Sequence, residues 1–98
     1  MRINKRVFEF EWDKGNIGKN KKHKVEDKEA EEAYLDDGKV IIKDKLHSTE
    51  LEERFILLGK TKKNRLLYIV FTERNEKIRI ISARDINKKE VFLYEETT

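Results

Sequence analysis

In this 98-residue sequence, Lys22, His23, Arg54 and Arg84 have the types and settings for acid–base or phosphate chemistry. His23 follows Lys19, Lys21 and Lys22 within four positions, with Lys14 further upstream. Clustered positive charge disfavours one more, a setting that would suit a general base near neutral pH. The plainer alternative is a surface histidine in a basic segment. Arg54 opens one apolar run and Arg84 closes another. The planar guanidinium offers a phosphate two charged hydrogen bonds, which suits arginines at strand ends to phosphate binding. Each also has acidic neighbours, Glu52, Glu53 or Asp85, for an ordinary surface ion pair.

Other candidates read more plainly. His47 lies in the polar stretch before Glu53 and reads as a loop residue. Two histidines so far apart, with no acid at a recognised spacing, make a poor metal set. Trp12 would stack a base or close one end of a core. Glu73-Arg74 reads as an exposed pair at a turn. The chain has no Gly-rich phosphate loop, no nucleophilic-serine elbow and no cysteine, which removes several enzyme classes. RNA cleavage needs none of these. The 2′-hydroxyl of RNA is itself a nucleophile, and the protein supplies a base, an acid and cations for the charge developing on the phosphorane. No cofactor and no metal is expected.

These side chains need elements to position them. Val7–Trp12 is rich in strand formers and reads as a strand. Residues 13–24 suggest a weak helix, since Gly15 and Gly18 each cost about 1 kcal/mol against Ala. Residues 26–37 place Ala30, Ala33 and Tyr34 at i, i+3 and i+4, a second helix stopped by Gly38. Val40-Ile41-Ile42 is a short strand, and Glu53–Leu58 a strand ending at Gly59. Arg65–Glu73 is apolar on both faces, as a central strand requires. A tight turn at Arg74–Glu76 sends Lys77–Arg84 back antiparallel. In that strand, alternation puts Ile78, Ile80, Ser82 and Arg84 on one face and Arg79, Ile81 and Ala83 on the other. Residues 87–96 suggest a last helix, with Asn87 and Glu90 at capping-box spacing. The reading is α+β: an antiparallel sheet of about four to five strands, two N-terminal helices and one C-terminal helix, in a single domain over residues 1–98.

Composition bounds the rest. With 37% hydrophobic and 44% charged residues, disorder has to be considered first. The clustering of the apolar residues in strand-like runs between 51 and 83 argues for a folded domain with a thin core. No apolar run approaches the ~18 residues of a membrane span, and the first residues lack the apolar stretch of a signal peptide, so a cytoplasmic location is expected. Residues 13–24 carry five lysines and one aspartate, whereas residues 26–37 carry seven acids and one lysine. Adjacent basic and acidic segments suit two different partners, one polyanionic and one basic, or are simply solvated faces.

Taken together, the fragments resemble one family. Phe10-Glu11-Trp12-Asp13, Lys19-Asn20, Lys22-His23 and Val25 are similar to the opening of the BrnT toxins. So are Asp44-x-x-His47-Ser48 and Glu53-Arg54-Phe55-Ile56-x-x-Gly59. Arg65-Leu66-Leu67-x-x-Val70-Phe71-Thr72-Glu73-Arg74, Ile78–Arg84, Glu90 and Tyr94 continue the likeness. It runs from about residue 8 to residue 95. One departure is that the Lys-His pair of the family sits one residue further from the Trp and is followed by Gly, where this chain has Lys24.

The resemblance implies a RelE-like fold, metal-independent RNA cleavage, and a BrnA-like antitoxin with a ribbon-helix-helix DNA-binding domain. It also implies that operator DNA is met only through that antitoxin. On this reading Arg54 and Arg84 hold the scissile phosphate, and Lys22 or His23 is the general base or acid. Lys14, Lys19, Lys21 and Lys24 track the RNA backbone, with Arg79 as a further contact. Face parity matters here. Arg54 shares its face with Ile56 and Leu58, Arg84 with Ile78 and Ile80, and if those faces are opposite Arg79 is the better partner. The alternatives are an inactive member that binds nucleic acid or a partner, and an assembly protein built on the acidic segment.

Overall fold

The computed structural model describes residues 9–97. Four strands, β1 (Val40–Lys43), β2 (Arg54–Lys60), β3 (Leu66–Arg74) and β4 (Lys77–Asp85), pair in sequence order. Every pairing is antiparallel. Helix α1 (Asp27–Tyr34) precedes the sheet and α2 (Lys88–Thr97) follows it. The α+β expectation and the four-strand order hold.

Register assigns the two faces. Phe55, Leu57 and Gly59 of β2 stand opposite Phe71, Ile69 and Leu67 of β3. This face carries the core, closed by Val25, Ala30, Ala33 and Tyr34. Gly59 is required where it stands, because a Cβ there would overlap the Ala33 carbonyl oxygen; the missing side chain lets α1 lie directly on β2. Tyr34 meets Phe10 and Phe71 edge-on, at 5.5 and 5.3 Å between ring centroids, an arrangement aromatic quadrupoles favour. The second face carries Arg54, Ile56 and Leu58 opposite Thr72, Val70 and Tyr68. Leu58 on that face is buried, as is Tyr94 of α2.

The expected face of Arg84 is corrected. Phe71 pairs with Ile80, but Val70 pairs with Ser82. Ile81 is therefore an extra residue, a β-bulge, and every later side chain of β4 changes face. Ala83 enters the core with Ile69, and Arg84 joins Tyr68, Leu58 and Arg54 on the second face.

The N-terminal expectations also change. Val7 and Phe8 of the anticipated first strand lie outside the described residues. Its remainder makes an isolated parallel bridge, Phe10 to Ile78, rather than a strand. Residues 13–24 form turns and a five-residue 3-10 helix, Lys19–His23, instead of an α-helix. The helix is bounded by left-handed residues, Gly18 at φ 67° and Lys24 at φ 61°, and its asparagine is spent on the sheet. Asn20 Oδ1 accepts the Ala83 N–H at 2.9 Å, while Asn16 Nδ2 donates to the Ile80 carbonyl at 3.0 Å. An edge strand needs its free backbone groups covered, and these side chains cover β4 without a fifth strand.

The acidic segment is largely consumed within the fold. Asp27 accepts the Gly18 N–H, Glu29 takes Arg65, Glu31 takes Trp12 Nε1 at 2.6 Å, and Glu32 accepts the Lys62 N–H. Trp12 thus closes the core, the second of its two readings. α1 stops at Tyr34, short of Gly38. Asp36 beyond it accepts the Gly38 N–H, the Lys60 N–H and the Tyr94 hydroxyl at 3.0, 2.9 and 2.7 Å.

Burial pushes the Asp36 carboxyl up, but the bonds from Tyr94, Gly38 and Lys60 outweigh it and leave its pKa below the ordinary value. A depressed folded pKa contributes stability above the unfolded value that is lost as pH falls through the folded one. Asp36→Ala should therefore lower stability near neutral pH by about 2 kcal/mol or more. In urea denaturation the native chain and the variant should converge as the solution becomes acidic.

Candidate active site

At the end of the sheet where β2 begins, Arg54, Thr72 and Arg79 form one cross-strand row on the second face. Thr72 is buried and donates its hydroxyl to the Glu53 carbonyl at 2.6 Å. The arginines alternate with carboxylates. Arg54 Nε lies 2.9 Å from Glu52 Oε1, whose other oxygen is 3.4 Å from Arg74 Nη2. Arg74 continues to Glu11 at 3.6 Å, and Glu11 to Arg79 at 3.2 Å. Arg79 grips Asp13 through both terminal nitrogens, at 2.9 and 3.0 Å. Arg79, bonded to Asp13, and the Gly15 N–H hold the Asp13 carboxyl below its ordinary pKa. Arg54 does the same for Glu52. A groove of about 490 Å³ opens beside this chain of charges, lined by Leu51, Glu53, Phe55, Thr72, Glu73 and Arg74 among others.

A histidine joins this end of the sheet. His47 Nδ1 is 2.9 Å from Oδ2 of Asp44, and the Asp44 N–H donates to the Arg54 carbonyl at 2.8 Å. The signal was present in the sequence as an Asp-x-x-His spacing, but a polar loop gave no reason to prefer it over a turn contact.

Arg84 stands at the opposite end. Its partner Tyr68 is four residues from Thr72, the partner of Arg54, or about 13 Å along the strand. Its guanidinium lies over the Tyr68 ring, 3.8 Å from the centroid, and takes both oxygens of Glu90 at 3.0 and 2.9 Å. Glu90 completes the expected capping box with Asn87, the two backbone bonds being 2.9 Å each. Arg54 and Arg84 therefore share a face but are not brought to one phosphate. Arg79 is the arginine in register with Arg54.

Lys22 and His23 are exposed at the end of the 3-10 helix. Arg65 ties this segment to the Arg84 end, bonding the Lys24 and His23 carbonyls at 2.8 and 3.5 Å and Asp85 at 2.7 Å. Lys14, Lys19, Lys21 and Lys24 are exposed too, on the segment bound along β4. Among the described residues, no three His, Asp or Glu side chains group as a metal would require, and no helix is long and apolar enough to cross a membrane.

In the arginine row, each guanidinium is paired with a carboxylate. Glu52→Gln removes one of these carboxylates. It should tighten binding of a single-stranded RNA oligonucleotide by about three- to tenfold at low salt, a gain that shrinks as salt rises. Fluorescence anisotropy across a salt series checks this, and unchanged affinity at low salt would mean that the row does not face RNA.

Comparison with known proteins matches residues 12–90 to the family model described as ribonuclease toxin, BrnT, of type II toxin-antitoxin system. No curated protein matches the chain. The matched span takes in both clusters of arginines, the 3-10 helix with its lysines, and the Asp44–His47 pair. This chain belongs to the BrnT family of ribonuclease toxins of type II toxin–antitoxin systems.

Proposed function

We propose that this chain is a metal-independent endoribonuclease, cytoplasmic, with a RelE-like fold and neutralised by a BrnA-like ribbon-helix-helix antitoxin. The observation that carries the reading is the sequence of cations along one side of the molecule. Arg54, Arg79 and Arg84 share the second face of the sheet, and exposed lysines follow the neighbouring edge. A flexible polyanion is held by such a track rather than by a pocket. Operator DNA is met only through the antitoxin.

The chemistry is transphosphorylation. The ribose 2′-oxygen bonds to the adjacent phosphorus as the bond to the 5′-oxygen breaks, leaving a cyclic phosphate and a free 5′-hydroxyl. Charge accumulates on the non-bridging oxygens, and an arginine aimed there stabilises the transition state more than the ground state. Because Arg54 and Arg84 stand at opposite ends of the face, they hold different phosphates of one strand. Lys22 and His23 serve proton transfer or backbone contact at the Arg84 end. Lys14, Lys19, Lys21 and Lys24 contact the backbone beyond it.

The test is cleavage of RNA in EDTA by the native chain and by Arg54→Ala, Arg84→Ala and His23→Ala. Native cleavage without metal is expected, and the arginine at the scissile phosphate should cost about 100-fold or more. Loss of the other arginine should weaken binding alone and reduce the salt slope by about 1. RNA binding that high salt abolishes, with no product at any concentration, would instead identify a binding module.

A further inference from the structure

The Asp44–His47 pair has no part in the reaction as drawn from the sequence, and its geometry gives it one. Asp44 is 9% exposed, whereas the His47 side chain is 62% exposed. Both carboxylate oxygens face the ring, with Nδ1 3.2 Å from Oδ1 and 2.9 Å from Oδ2. An ionised carboxylate only accepts hydrogen bonds, so Nδ1 is the donor, and in the neutral ring Nε2 is left with its lone pair. This is how a base is oriented in hydrolytic triads.

The pair is also fixed relative to the phosphate-binding arginine. The Asp44 N–H donates to the Arg54 carbonyl at 2.8 Å. The Ser48 hydroxyl donates to the Asp44 carbonyl at 2.7 Å and accepts the Arg54 N–H at 2.9 Å. These bonds fold the loop 44–54 back on itself, so that dyad and arginine are anchored to one another through the backbone. Among the described residues no carboxylate holds the His23 ring in this way, and the His23 segment belongs to the Arg84 end.

We infer that the reaction centre lies at the Arg54 end, and that His47, oriented by Asp44, is the general base that takes the 2′-hydroxyl proton. The inference rests on the ribonuclease reading and assigns its chemistry to one place. The 2′-oxygen bonds to phosphorus, its proton passes to His47 Nε2, and the bond from phosphorus to the 5′-oxygen breaks. The leaving oxygen takes a proton from water, and the imidazolium returns its own to the hydroxide so formed. Asp44 is a positioning residue: it holds the ring and balances the imidazolium charge.

The full-length chain is assayed in single-turnover RNA cleavage with EDTA, beside its affinity for an all-2′-O-methyl oligonucleotide that cannot react. His47→Ala should lose cleavage by about 100-fold or more, regain part of it with added imidazole, and bind the inert oligonucleotide within about twofold of native, as loss of one proton-transfer group predicts. Asp44→Asn, which keeps the shape and removes the charge, should slow cleavage at saturating RNA without weakening binding. The inference is overturned if His47→Ala cleaves nearly as well as native, or if it loses cleavage and affinity together with no response to imidazole. Failure of the native chain to cleave RNA at all would overturn the ribonuclease reading itself, and this assignment with it.

Discussion

One extra residue in β4 decides what each face of this sheet presents. Strict alternation would send Arg84 into the core with Ile78 and Ile80, where an unpaired guanidinium is costly to bury. The bulge at Ile81 resolves the conflict. It lets Ile80 and Ala83 both face the core, three positions apart, and returns Arg84 to the face where Tyr68 and Glu90 receive it. The same register places the Ala83 amide toward the outer edge, where Asn20 accepts it. The capping of the edge, the docking of α2 and the line of cations on the second face all follow from that shift.

Electrostatics sets the second constraint. With 44% of its residues charged and a thin core, the chain uses acids as connectors. Asp36 joins the turn after α1, the end of β2 and α2 through three hydrogen bonds. Glu29 and Asp85 converge on Arg65, which also holds the chain leaving the 3-10 helix. Exposed ion pairs contribute little one at a time, so the stabilising weight falls on the half-buried ones that also bond backbone groups. At the Arg54 end the balance differs. Arg74 and Asp13 are largely exposed, and their partners are shared rather than exclusive.

Local patterns made most of the fold legible. The unbroken apolar run Leu66–Phe71 marked the central strand, the Ala30-Ala33-Tyr34 spacing marked α1, and the Asn87–Glu90 spacing marked the cap of α2. What the sequence hid was non-local. No alternation rule announces a bulge whose cause is the burial of Ala83 and the partners of Arg84. Nor does a weak helical propensity in residues 13–24 reveal that Asn16 and Asn20 serve a strand more than sixty residues away. The acidic run looked like a surface for a basic partner, and only tertiary contacts show Asp27, Glu29, Glu31 and Glu32 turned inward. In the candidate site, the residue types were legible and their grouping was not. Arg79 meets Asp13 across 66 residues of chain, and Arg54 pairs with the row of Arg79 rather than with Arg84.

The two arginine clusters differ in how firmly they are held, and that difference bears on their roles. Arg84 is stacked on Tyr68 and bound at both nitrogens to a single carboxylate that is itself bonded to the start of α2. Moving it would loosen a helix as well as an ion pair, so its first duty is to hold α2 to the sheet. The Arg54 side chain bonds Glu52 through Nε, from a strand end that the Ser48 and Asp44 backbone bonds keep rigid. A transition state is stabilised best by charges that are fixed in place yet free to take a new partner. In the proposed reaction that requirement points to Arg54, whose guanidinium has one carboxylate bond on a strand end held by backbone bonds, while Arg84, stacked and doubly bonded, serves stability.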